Sequence, residues 1–244
     1  MKTVLIIQAR LGSNRLPRKI LKPIMGRPVL YYLMERVKFL TQVDSIIIAT
    51  SINPRDDELV EFAIKNSINI FRGDEEDVLS RFYHAATFYD ANIVVRCNSD
   101  CPLLDPLIVD EIIKEFKSNI DSIDYLSNIL EPSYPVGMHT EVFTYEALSR
   151  AFLDAKDLAE REHVTPYIYR RPNLFRLKNR LLDVDLSSHR WTLDYEEDFD
   201  LIKKILTNIY HKNPKFTMED VIKLVNTNPE WKYINSHIYK NGTV

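Results

Sequence analysis

The chain has 244 residues, 45% of them apolar and 27% charged, enough for one substantial hydrophobic core. Its net charge of -3 excludes a general nucleic-acid binder, because sequence-independent phosphate binding needs a basic surface rather than one basic loop. No apolar run approaches the roughly 18 residues of a membrane span, and the N-terminal run is only a strand long, so the expectation is one domain over 1–244, cytoplasmic, with no membrane partner.

Apolar runs rich in β-branched residues alternate with stretches of helical period, which predicts an α/β fold with a largely parallel sheet covered by helices. Strands are expected over 3–9, 45–50, 68–72 and 93–97. The stretches 28–40 and 55–66 read as crossover helices; the first opens with a proline suited to a first turn, the second carries Leu59, Phe62 and Ala63 on one face. Asp74 is expected to cap a third helix, with Glu75, Glu76 and Asp77 in its positive first turn and Val78, Leu79, Phe82, Ala86 and Tyr89 as its buried stripe. Asp105 suits the N-cap of a helix over 107–117.

Beyond residue 120 the pattern changes. Strands over 123–127 and 140–144, joined by a proline-containing loop at 131–137, predict a mixed sheet. Residues 159–171 read as helical in part, with a turn or kink at Pro166. Residues 175–184 and 190–193 read as extended, and 195–210 and 217–227 as terminal helices.

Three features carry chemistry. The first strand empties into Arg10-Leu-Gly-Ser-Asn-Arg-Leu-Pro-Arg-Lys19. Ligands of open α/β sheets sit outside the carboxyl ends of the strands, so Arg10, Arg15, Arg18 and Lys19 would converge on an anion, with Gly12 and Ser13 offering backbone N–H groups; the alternative is a solvated basic turn. A second strand ends in Asn98 and Asp100, where the carboxylate either holds Mg²⁺ or bonds its own turn. Third, Arg190-Trp-Thr-Leu-Asp194 delivers Asp194 immediately before a helix, as a metal ligand or as a cap. Together, two strand-end aspartates and a phosphate-seeking loop are what a metal-bound nucleoside triphosphate requires. Cys97 and Cys101 are the only cysteines and lack C-x-x-C spacing, so they read as small strand-end residues in a reducing compartment.

Five segments, Gln8-Ala-Arg-Leu-Gly-Ser-Asn-Arg-Leu-Pro-Arg-Lys19, Arg72-Gly-Asp-Glu-Glu-Asp-Val-Leu-Ser-Arg-Phe-Tyr83, Ser99-Asp-Cys-Pro-Leu-Leu-Asp-Pro106, Arg161-Glu-His-Val-Thr-Pro-Tyr-Ile168 and Arg190-Trp-Thr-Leu-Asp194, resemble the SpsF-like family. These are cytidylyltransferase-like proteins of spore-coat and surface polysaccharide synthesis, similar to the CMP-sugar synthetases for 3-deoxy-manno-octulosonate and acylneuraminate. The resemblance implies a single-domain, glycosyltransferase-A-like three-layer sandwich with a mixed, mostly parallel sheet. It also implies CTP and a small anionic sugar-type acceptor as substrates, Mg²⁺ as cofactor, and a homodimer.

Residue by residue, it implies that Gln8, Ala9, Arg10, Gly12, Ser13, Arg15, Lys19, Arg72, Asp77 and Asn98 bind the nucleotide. Asp100 and Asp194 would hold Mg²⁺, and Arg15, Lys19 and Asp100 would serve the transfer itself. Arg96, His139, Glu141, His163 and Arg190 would face the acceptor, although Arg96 could instead reach a phosphate. Arg81 either flanks the pocket or supports its loop through an ion pair. The chain departs from the family at Arg18 and Ser99, where Gly is usual. It departs again at His139, where Gly137-Met-His-Thr-Glu141 resembles Gly-x-Asp-x-Glu; this histidine and His163 either meet an anionic acceptor or are structural.

Overall fold

Strand β1 (Thr3–Gln8) is apolar almost throughout because both of its faces are covered: Leu5 and Ile7 enter one core, Val4 and Ile6 the other. The computed structural model describes residues 1–238. After a basic loop, a small hairpin of β2 (Pro23–Ile24) and β3 (Arg27–Pro28) leads into α1 (Val29–Val37). Strand β4 (Ser45–Ser51), α2 (Asp57–Lys65), β5 (Asn69–Gly73), α3 (Val78–Phe88) and β6 (Ile93–Asn98) follow. Next come α4 (Pro106–Ser118), β7 (Tyr125–Ser127), β8 (Glu141–Thr144), α5 (Tyr145–Asp154), α6 (Leu158–His163) and α7 (Pro166–Tyr169). Strand β9 (Leu177–Asn179), α8 (Glu196–Ile209) and α9 (Met218–Asn226) complete the set.

Among the described residues the main sheet has seven strands in the order β5-β4-β1-β6-β8-β7-β9. The first four are mutually parallel, β8 runs against both β6 and β7, and β9 is parallel to β7. Helices α1, α4, α8 and α9 pack on one face and α3, α5 and α7 on the other, which is the expected mixed, mostly parallel three-layer sandwich. From β1 the chain goes outward to β4 and β5, then returns to β6 on the opposite flank of β1. The crevice between β1 and β6 is therefore the switch point where ligands bind such sheets, and there Gln8 stands in register with Asn98.

Several boundaries differ from the sequence reading. Helix 28–40 shortens to Val29–Val37, with Pro28 still extended (φ -64, ψ 150) as its N-cap. The third helix is capped by Asp77, which accepts from the Ser80 N–H at 2.9 Å; Asp74 instead accepts from Glu76 and Asp77 and closes the turn before it. Helix α5 lies outside the expected elements; Thr144 caps it at 3.1 Å and Ala147, Leu148 and Ala151 form its buried stripe. Residues 159–171 split at Val164, so Pro166 begins a second short helix. The extended stretch 175–184 narrows to β9, and 190–193 contributes one bridge, Arg190 beside Val136.

Two buried polar side chains tie the C-terminal helices to the sheet. Arg36, fully buried, donates to the carbonyls of Leu104 and Phe216 at 2.7 Å each. Asp105 caps α4 as expected and also accepts from the Met218 N–H at 2.7 Å, so one carboxylate starts α4 and fixes α9. Among the described residues, no helix is long and apolar enough to cross a membrane.

Candidate functional site

A cavity of about 600 Å³ opens at the β1/β6 crevice. The loop after β1 forms one wall. It is held from behind by Asp56, fully buried, which accepts from the Leu11 N–H at 2.8 Å. Gly12 lies so close to Arg55 that an added Cβ would come 2.9 Å from the guanidinium carbon. Arg18, where the resemblance implies Gly, adopts a left-handed backbone (φ 57, ψ 22) and forms a fork with Glu58 outside the cavity lining. Of the four cations expected to converge, Arg10, Arg15 and Lys19 line the cavity and Arg18 does not.

Across from the loop stand the two aspartates. The Lys19 ammonium donates to Asp100 Oδ2 at 2.6 Å and to Asp194 Oδ1 at 2.9 Å. Arg15 reaches the same Asp194 oxygen at 2.8 Å, while Arg190 takes the other at 3.0 Å. Burial opposes ionisation of Asp194, yet Lys19 and Arg15 outweigh it and hold the carboxyl at about 2. Burial likewise opposes charge on Lys19, and the two aspartates overcome it and raise its pKa. Asp194 is thus not the N-cap of α8; that position is Tyr195.

Among the described residues no group of three or more His, Cys, Asp and Glu side chains gathers as a metal cluster. Two carboxylate oxygens meeting on one cation nevertheless suit Mg²⁺, which takes one or two carboxylates and completes its shell with phosphate oxygens and water. The donor set fits that ion, at the point Lys19 holds.

Deeper in the cavity lie Gln8, Asn98 and Arg96. Among the described residues the Asn98 Oδ1 and the Arg96 Nε are buried without a hydrogen-bond partner, so this floor offers an acceptor and a donor to a ligand. Arg96 pairs with buried Glu141, whose other oxygen accepts from the Tyr125 hydroxyl at 2.7 Å. Glu141 therefore backs the wall through Arg96 and does not line it.

His139 lines the cavity just before β8, on the flank of β6 away from β1, on a segment fixed by the Asn128 side chain, which donates to the Met138 carbonyl at 2.8 Å and accepts from the Thr140 N–H at 2.9 Å. Its backbone entry requires Gly137, at φ 110, because a Cβ there would lie 2.8 Å from the Trp191 carbonyl carbon. Burial lowers the His139 pKa from its ordinary value, which favours the neutral, hydrogen-bonding imidazole.

His163 also lines the cavity, joined by Glu162, Asn14, Val136 and Thr192, which the sequence reading did not assign. The Glu162 carboxylate stands 3.5 Å from Arg10. Arg161, immediately before it, is tied to Asp77 at 2.6 Å, so Asp77 caps α3 and anchors α6 without reaching the cavity. Nor do Ala9, which is buried, or Arg72, whose guanidinium holds the Ser51 and Asn53 carbonyls and Asp57. Arg81 is fully buried and donates to the Asp74 carbonyl at 2.7 Å, a loop support outside the cavity wall. Burial pushes the Cys97 thiol up to about 12 and Cys101 well above its usual range, which disfavours the thiolate that a nucleophile requires.

The sequence model of a family described as cytidylyltransferase matches residues 4–229. An uncharacterised protein of Methanocaldococcus jannaschii is 38% identical over 98% of this chain and 96% of its own. The spore coat polysaccharide biosynthesis protein SpsF of Bacillus subtilis is 32% identical over 92% and 94%. The solved structure of a cytidylyltransferase from Leptospira borgpetersenii superimposes with a TM-score of 0.91 at 32% identity, covering 100% of this chain and 99% of that one.

Proposed function

The chain belongs to the cytidylyltransferase family, and from that premise we propose that it transfers the CMP unit of CTP to a sugar-type acceptor with release of pyrophosphate. The observation that carries the proposal is the meeting of Arg10, Arg15 and Lys19 with Asp100 and Asp194 at the β1/β6 crevice. An acceptor oxygen, either a sugar-acid hydroxyl or a phosphate of a sugar or polyol phosphate, attacks the α-phosphorus of CTP. The bond from that phosphorus to the bridging oxygen breaks, its electron pair leaves with pyrophosphate, and a hydroxyl acceptor releases its proton to water.

The work of the chain is positioning and charge neutralisation. Backbone N–H groups around Gly12 and Ser13 cradle phosphate oxygens, Gln8 and Asn98 face the nucleoside, and Arg15 and Lys19 neutralise the departing pyrophosphate. For this Lys19 turns from the aspartates towards the triphosphate. Mg²⁺ held by Asp100 and Asp194 would, when bound, neutralise phosphate oxygens. His139, Arg96, His163 and Thr192 remain for the acceptor. The name of the SpsF relative supports a surface polysaccharide or glycoconjugate as the destination of the product.

Incubation with CTP, Mg²⁺ and a panel of sugar acids and sugar or polyol phosphates tests the reading, with pyrophosphate release and ³¹P NMR of the product as readouts. Pyrophosphate release dependent on one acceptor is expected. Consumption of a ready-made nucleotide sugar without pyrophosphate would instead make the chain a glycosyltransferase, and CTP binding without turnover on any acceptor would make it a nucleotide-binding subunit.

A further inference from the structure

Behind Asp194 stands a carboxylate that is fully buried and lies outside the cavity wall, that of Asp198. A buried charge persists only where it is paired and hydrogen-bonded, and the partners of Asp198 divide by oxygen. Its Oδ2 accepts from the backbone N–H groups of Asp194 at 3.0 Å and Tyr195 at 3.1 Å, which is the ordinary duty of an acid in the first turn of a helix. Its Oδ1 has no backbone duty. That oxygen accepts from Arg190 Nε at 3.0 Å and from the Asn235 amide at 2.8 Å. The same amide also donates to the Arg190 carbonyl at 3.0 Å, so Asn235 ties the Asp198 carboxylate to the main chain of its Arg190 partner.

The consequence reaches the cavity through Arg190. Its NH2 group is shared between Asp198 Oδ2 and Asp194 Oδ2, both at 3.0 Å. One Asp194 oxygen is thereby engaged from behind, and the other, Oδ1, is the one that faces Lys19 and Arg15. A helix cap alone would need neither the second Arg190 contact nor Asn235.

We propose that Asp198 and Asn235 are positioning residues: through Arg190 they hold Asp194 so that a single carboxylate oxygen points at the bound nucleotide and its metal. This rests on the cytidylyltransferase reading, and Asn235 makes it testable apart from the cap of α8, because its side chain touches no backbone group of that helix.

The test compares wild type, Asn235→Leu and Asp198→Asn by calorimetry with CTP in EDTA, with CTP plus Mn²⁺, and by thermal melting. Mn²⁺ is expected to tighten CTP binding to the wild type, and Asn235→Leu to lose at least about fivefold of that gain while binding CTP in EDTA within about twofold of wild type. Restoring the amide as Asn235→Gln should recover part of the Mn²⁺ effect, which simple packing of the tail would not explain. If Asn235→Leu keeps the full Mn²⁺ gain, or loses CTP affinity equally with and without Mn²⁺, the positioning role is overturned and the family reading stands. If the wild type binds no CTP under either condition, the nucleotide reading itself falls, and the positioning role with it.

Discussion

Lys19 and Asp194, 175 positions apart in the chain, meet at 2.9 Å, and the same ammonium lies 2.6 Å from Asp100. Its two acidic partners hold it charged against the cost of burial, at the place where a triphosphate would compete for it. Charge-assisted hydrogen bonds of this kind contribute about 1.5–3 kcal/mol each, or roughly 10- to 150-fold in affinity. Lys19→Met is therefore expected to weaken CTP by at least about tenfold in calorimetry and CMP by less than about threefold, since CMP lacks the outer phosphates. Equal losses for both nucleotides would place Lys19 in the support of the loop instead.

Asp100→Asn keeps the size of the side chain and removes the charge facing Lys19. The fold should persist, with the melting temperature near that of wild type, while CTP-dependent pyrophosphate release falls by at least ~10²-fold, on the scale of losing one transition-state stabiliser. Near-normal turnover would remove Asp100 from the reaction.

Acid should destabilise the protein in part through Asp194. Its folded-state pKa of about 2 lies below the ordinary 3.8, so its contribution is present above about pH 4 and lost as pH falls through the folded value. The shift corresponds to about 2 kcal/mol, of which about 1 kcal/mol is gone by about pH 3. Urea titrations at about pH 6 and pH 3 should show this extra loss in wild type and not in Asp194→Asn. Parallel acid limbs for the two proteins would refute the assignment.

Gly137→Ala tests the close approach of two backbones. At φ 110 an L side chain is strained, and its Cβ would lie 2.8 Å from Trp191 carbonyl atoms, so the segments 136–140 and 189–194 must separate. A loss of about 2 kcal/mol in denaturant unfolding is expected, beyond the usual effect of relieving glycine entropy. Unchanged stability would mean the segment can relax without cost.

His139→Asp places an acid where the resemblance to Gly-x-Asp-x-Glu implies one. CTP affinity should stay within about threefold, because His139 enters β8, separated by β6 from the strand that feeds the basic loop. For an anionic acceptor the new carboxylate adds like-charge repulsion of ~1–4 kcal/mol, so kcat/KM should drop by at least several-fold. Collapse of CTP binding with unchanged preference among acceptors would put the Gly137–Glu141 segment on the nucleotide side.

Local signals carried much of the molecule. Near-continuous apolar runs in β1, β4 and β6 mark strands covered on both faces, and Asp105 and Thr217 announce their helices by capping chemistry that operates within three residues. Helix α5 is equally marked by Thr144 and its apolar stripe, but Thr144 both ends β8 and caps α5, so the strand signal runs directly into the helix signal. The two strand-end aspartates and the basic loop could be named from the chain because each closes or follows a recognisable apolar run.

What the sequence by itself determined is the set of buried faces and the chemistry waiting at the strand ends, since side-chain periodicity and capping are properties of neighbouring residues. Which of those groups meet was decided only by the tertiary structure. The return of β6 to the free flank of β1 brings Asp100 to Lys19, and the crossing of segments 136–140 and 189–194 brings in His139 and Asp194. The same packing commits Asp77 to Arg161 and Arg72 to the loop after β4, and sets Asn235 behind Asp198. A charged side chain is free to bind only if no partner reaches it first, and partners lying tens of residues away leave no periodic trace in the chain.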